Sequence, residues 1–186
     1  MNPLIEQFKK YGNLSLPCEE EINQRCKFFQ RRKGEHFLKG GQYVSSYFVI
    51  HKGLIRAYFY RDEKQVTAWF GEENQVFASI IPAYTGKPSF EYLEFLEDAE
   101  IYALATNDLD ELYLRYHELN LIGRKIAEEV CVLLEERIVS LHTESALQRY
   151  HSMLEKQPNL LARVNLGLIA SYLGMSPETL SRIRRF

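Results

Sequence analysis

The chain has 186 residues, of which 46% are hydrophobic and 26% charged, a globular balance that excludes bulk disorder and collagen-like repetition. Its net charge of −2 hides an asymmetry. Residues 159–186 sum to +3, with Arg163, Arg182, Arg184 and Arg185 against Glu178, while the remainder sums to −5. No run approaches the ~18 apolar residues of a membrane span, and the first ten residues lack a secretory signal's basic start and apolar block, so a cytoplasmic protein without a membrane partner is expected. Cys18, Cys26 and Cys131 form no C-x-x-C pair, which removes a zinc ribbon or a redox dithiol and leaves reduced thiols.

Taken in chain order, residues 1–27 suit short helices, with Leu14-Ser15-Leu16-Pro17 as a helix approach and Glu19-Glu20-Glu21 in a first turn. Residues 28–105 read as β. Tyr47–His51 and Leu54–Tyr60 are rich in β-branched and aromatic side chains, and Lys52-Gly53 between them predicts a short hairpin turn. Arg61–Lys64 then turns into Gln65–Phe70, closed by Gly71. Short strands at intervals of about ten residues predict a small barrel or jelly roll.

After Leu104 the hydrophobic period changes to ~3.6. Asn107–Leu112 reads as a helix start, and a longer helix is expected from about Glu118 to His142. Ile122, Ile126, Val130, Leu133, Leu134, Ile138 and Leu141 recur along it at steps of three or four, and charged residues including Arg124, Glu128 and Arg137 fill much of the rest. Its length fits either a packing helix or one strand of a dimeric coiled coil, whose seam would hold Ile122, Ile126, Val130, Leu133, Ile138 and Leu141.

The segment Leu166–Arg185 divides into two short helices. Ile169, Ala170 and Leu173 line the inner face of the first, and Gly174 supplies a turn at positive φ. Ser176 caps the second helix, Pro177 occupies its first position, and Leu180 and Ile183 face back. This is a helix-turn-helix pattern whose second helix presents Ser176, Pro177, Glu178, Ser181 and Arg182 to base edges in the major groove of double-stranded DNA. Arg182 can donate two hydrogen bonds to guanine, and Glu178 can accept from cytosine. Thr179, Arg184 and Arg185 are placed for phosphates, which set affinity and register. No Walker loop, Gly-x-Ser-x-Gly or His-Glu-x-x-His motif occurs, and the five histidines make no metal-ligand cluster in the β region, so neither an enzyme nor a cofactor is expected.

Together, Lys33-Gly34-Glu35-His36-Phe37, Gly40-Gly41, Tyr47–Gly53, Leu54-Ile55-Arg56, Ala146–Tyr150 and the Glu-x-x-Ser-Arg run Glu178–Arg182 resemble the bacterial cyclic-AMP receptor/fumarate-nitrate regulator (Crp/Fnr) family over nearly the full chain. The resemblance implies an α+β protein: a β-roll sensor domain over residues 1–117, a dimerisation helix over 118–145 and a DNA-binding domain over 146–186. It further implies a homodimer joined through the long helix, half-sites about 34 Å apart on a near-palindromic operator, and RNA polymerase as a partner.

Two departures from the family pattern are visible. The nucleotide cassette's Phe-Gly-Glu and later arginine are replaced by Phe77-Ala78-Ser79 and by Lys87, Ser89, Phe90 and Glu91. The ribose-binding carboxylate and phosphate-binding arginine are thus absent, Glu91 would repel an anion, and Lys87 lacks a guanidinium's fork. These seven residues are the candidate pocket for an effector other than cyclic AMP. The sequence also ends one residue past Arg185, where the family's β-hairpin wing would follow, so fewer backbone contacts are expected. Trp69, Phe70, Phe77, Tyr84 and Phe90 fit strand packing or an apolar ligand pocket. The rival to a regulator is a protein-interaction module that has lost DNA binding.

Overall fold

The structure is a computed structural model and describes residues 2–78 and 80–185. The chain begins with α1 (Pro3–Lys9) and α2 (Leu16–Arg25), followed by β1 (Lys27–Arg31), β2 (His36–Leu38), β3 (Ser46–Lys52), β4 (Ile55–Arg61), β5 (Lys64–Gly71) and β6 (Val76–Ala78). Helix α3 (Ile80–Thr85) precedes β7 (Tyr92–Phe95) and β8 (Ala99–Ala105). The remainder is helical: α4 (Thr106–Arg115), α5 (His117–Thr143), α6 (Ala146–Lys156), α7 (Leu160–Arg163), α8 (Leu166–Tyr172) and α9 (Pro177–Ile183). The mixed fold expected from the sequence is present. No helix among the described residues is long and apolar enough to cross a membrane.

The strands form two four-stranded sheets, ordered β1-β8-β3-β6 and β2-β7-β4-β5. All the strand pairs given a register are antiparallel; β3 sits centrally, with Phe48 opposite Ala103 on β8 and Phe77 on β6. Strands β3 and β4 therefore lie in different sheets, which corrects the hairpin expected at Lys52-Gly53. The turn is a crossing from one sheet to the other. Gly53 has φ +104°, and a Cβ there would lie 2.8 Å from the Asp98 carbonyl oxygen, so the close approach requires glycine. Its N–H donates to Glu73 Oε1 at 3.0 Å.

The chain divides into two compact units, one of Met1–Ala57 and Phe70–Glu128, the other of Tyr58–Trp69 and Glu129–Phe186. In the first, Leu4, Ile5 and Phe8 of α1, Ile22 of α2, Val49, Leu104, Leu109 and Leu112 form a buried core. Ile122 and Ile126 of α5 belong to that core, 1% and 6% exposed. This corrects their place in the expected seam, because a side chain already buried has no surface left for a second chain. Of the other expected seam residues, Leu133, Ile138 and Leu141 are exposed and Val130 is half-buried, and Cys131, Leu134, Ile138 and Leu141 follow one another on the exposed side at heptad steps of three and four.

The second unit contains the C-terminal part of α5, helices α6–α9 and the tip of the β4–β5 hairpin. Helix α6 starts on a reciprocal capping box: Gln148 N–H donates to Ser145 Oγ at 3.3 Å and Ser145 N–H to Gln148 Oε1 at 2.8 Å. Tyr150, Met153, Leu160, Ile169, Ala170, Leu173 and Leu180 are buried together in this unit's interior.

Candidate nucleic-acid interface

Helix α8 begins at Asn165, whose Oδ1 accepts from Leu168 N–H at 3.0 Å, and ends in a Schellman motif. Met175 N–H donates to the Ala170 carbonyl at 3.0 Å and Gly174 N–H to that of Ser171 at 3.1 Å, with Gly174 at φ +65°. Two carbonyls of the final turn remain, those of Tyr172 and Leu173. Arg137 on α5 donates to the first, and its guanidinium lies 4.2 Å from the centre of the Tyr172 ring. Arg149 on α6 donates Nε–H to the second at 2.7 Å and Nη1–H to the Glu144 carbonyl at 2.5 Å. Burial, with Arg149 alongside, lowers the Arg137 pKa from its usual value. Arg137 is therefore not on a solvated face, as the charge pattern of the long helix suggests.

The turn launches α9 in a fixed direction. Ser176 Oγ accepts from Thr179 N–H at 3.2 Å, Pro177 takes the first helical position, and Leu180 is fully buried. The rotation this imposes leaves Ser176, Pro177, Glu178, Ser181 and Arg182 exposed, with Arg184 and Arg185 exposed at the helix end. Thr179 is half-buried and spent on the cap, since its Oγ1 also lies at hydrogen-bond distance, 3.2 Å, from Ser176 Oγ. The Glu178 carboxylate is held below its usual pKa by its own backbone N–H and the Ser176 hydroxyl. The face thus offers one carboxylate acceptor and, four residues later, one guanidinium fork.

No protein-family model matches the chain. A regulator from Shewanella oneidensis, electron transport regulator A, is 24% identical over 197 residues, covering 92% of this chain and 76% of that protein. Among solved structures, FixK2 from Bradyrhizobium japonicum superposes with a TM-score of 0.72 at 19% identity, covering 86% of this chain and 83% of its own. A CooA mutant from Carboxydothermus hydrogenoformans gives 0.70 at 16% identity, covering all of this chain and 83% of its own. A protein from Eubacterium rectale assigned to the crp/fnr family of transcriptional regulators gives 0.75 at 14% identity, covering 97% and 86%. The chain has the Crp/Fnr regulator fold. The resemblance read in the sequence is borne out at that level.

The residues expected to form an effector pocket differ in burial. Phe77 and Ala78 are half-buried in β6, Phe77 packing on Phe48 with ring centres 5.6 Å apart. Ser79 lies outside the described residues. Lys87 and Phe90 are exposed. Ser89 is buried, with its N–H on the Gln42 carbonyl at 3.0 Å and its Oγ accepting from Glu91 N–H at 2.9 Å. Burial raises the Glu91 pKa from its usual value. A cleft of about 370 Å³, lined by Arg31, Arg32 and Lys52 facing Glu35, Asp98 and Glu100, opens elsewhere on this unit.

Sequence reasoning missed two buried polar features. Arg56 on β4 is 2% exposed and pairs with Glu94 on β7 at 2.6 Å across one sheet; alternation marks the strands but not which charges meet. Ser171 of α8 accepts from Thr67 N–H at 3.0 Å, tying the β4–β5 tip to the helix-turn-helix. Arg137 had a readable signal, since it sits four residues from both Leu133 and Leu141, a charge within an apolar stripe.

Proposed function

We propose that the protein is a homodimeric, sequence-specific DNA-binding transcriptional regulator whose β-roll senses a signal other than cyclic AMP. The observation that carries this is the solvent-facing side of α9, where Glu178, Ser181 and Arg182 stand free of the core on a helix fixed by Ser176, Gly174 and Leu180. A recognition helix needs that combination: a rigid back and an unobstructed polar front sized for the major groove. Support for a dimer comes from the exposed heptad stripe Cys131, Leu134, Ile138 and Leu141, a seam that a second α5 would cover. Support for a different signal comes from the sequence at the cassette positions, which lacks an arginine and carries the half-buried Glu91, a carboxylate that would repel an anion.

The test is selection of bound sequences from a random duplex pool at fixed salt, with wild-type protein, with Arg182→Ala, and with added cyclic AMP. A palindromic motif is expected, lost in the variant and unchanged by the nucleotide. Loss of the guanidinium's paired contact should cost about 1–3 kcal/mol of discrimination at one base pair. Selection of no motif by the wild type, with the dimer intact, would instead favour a protein-interaction module.

A further inference from the structure

We propose that Arg137 is a positioning residue through which the long helix α5 sets the direction of the recognition helix α9; this rests on the DNA-binding reading above. An α-helix leaves its last four carbonyls without intrahelical partners. At the end of α8 all four are accounted for: Ala170 and Ser171 by the amides of Met175 and Gly174, Tyr172 by Arg137, and Leu173 by Arg149. The first two bonds come from the turn itself. The third comes from α5, a helix far away in sequence, and it reaches the residue two positions before the turn glycine.

Arg137 is held at a second point by stacking on the Tyr172 ring. A guanidinium that both donates to a carbonyl and lies on the ring of the same residue fixes the rotation of that residue, not only its distance. Its charge also suits a helix C-terminus, where the dipole is negative. One turn further along α5, Leu141 comes within 3.4 Å of where a Cβ on Gly174 would stand. Two side chains four residues apart therefore bracket the α8–α9 turn from the same helix. Leu141 also lies on the stripe assigned to the dimer seam, so a shift of α5 against a second copy would be felt at Gly174.

The test uses the full-length protein and the variants Arg137→Ala and Arg137→Lys. Amide exchange at Gly174 and Met175, measured without DNA, should quicken about tenfold in Arg137→Ala. Affinity for the selected duplex should fall about tenfold while affinity for a random duplex holds, and Arg137→Lys should recover part of both effects. If the alanine variant does not fold, Arg137→Gln, which keeps a donor but neither charge nor stacking, takes its place in the same comparison. Unchanged exchange at both amides overturns the proposal, as does an equal loss on the two duplexes, which would mark Arg137 as general support for the unit. If the wild type prefers no sequence, the DNA-binding reading fails by itself, and the exchange rates still decide whether Arg137 holds the turn.

Discussion

Gly174 and Cys18 show how single residues constrain this protein. At Gly174 the backbone sits at φ +65°, where an L side chain costs ~1–2 kcal/mol, and Leu141 leaves a new methyl group only 3.4 Å of room. Gly174→Ala should therefore lower stability by about 1 kcal/mol, read by urea unfolding followed at the C-terminal unit. Cys18 is buried near Glu118, Glu21 and Glu19, and burial first, then those charges, push its thiol from 9.0 up to about 12. Burial likewise raises the Tyr47 and Tyr113 phenols well above their usual value. Each group binds its proton more tightly folded than unfolded. The stability they contribute is complete below about pH 9 and is lost as pH rises toward about 12. Cys18→Ala should flatten part of that alkaline decline in an unfolding series; an unchanged slope would mean that Cys18 titrates alike in both states.

At the scale of elements, α5 has two faces with separate duties. Ile122 is 1% exposed in the core of the first unit, so Ile122→Ala should cost about 2–4 kcal/mol of stability and leave self-association alone. Ile138 is 58% exposed on the heptad stripe, so Ile138→Glu should leave the fold intact and separate the proposed dimer, as sedimentation velocity would record. Swapped outcomes would mean that the two faces are assigned the wrong way round. The helix itself was legible because its apolar period is sustained for 27 residues. Periodicity fixes which residues share a face but not what covers that face, and for that reason Ile122 and Ile138 read as one seam. The same limit acted at Gly53. Alternation identified β3 and β4, while membership of different sheets depends on their pairing with β8 and β7, far later in the chain. Helix α3 escaped notice because six residues with Pro82 inside carry too little pattern. The α8–α9 turn was legible in its cap, proline and glycine, since these act locally; of its outside supports, Arg137 stood out only as a charge within an apolar stripe, and the carbonyls that Arg137 and Arg149 reach depend on packing.

For the whole molecule, the acidic balance of the body and the basic C-terminal end mean that, in the proposed DNA-binding regulator, the duplex would be met through a small surface. Each phosphate neutralised adds ~0.9 to the slope of log affinity against log salt. Arg184 and Arg185 are exposed past the buried Leu180, at the end of α9 away from the base-reading residues. In a dimer each substitution is present twice, so Arg184→Ala should reduce the salt slope by about 2 and weaken selected and random duplexes alike. Arg182→Ala should do the reverse, changing the preferred sequence more than the slope, because a base-edge contact releases few counterions. Titrations of both variants on both duplexes between 50 and 200 mM salt, roughly the range over which such slopes are steep, separate the two roles. If Arg184→Ala altered the motif instead, α9 would be docked further along its axis than the Ser176 cap and the Gly174 turn imply. The base-reading surface would then extend to the C-terminal arginines, and the local geometry of the turn would no longer suffice to place the helix in the groove.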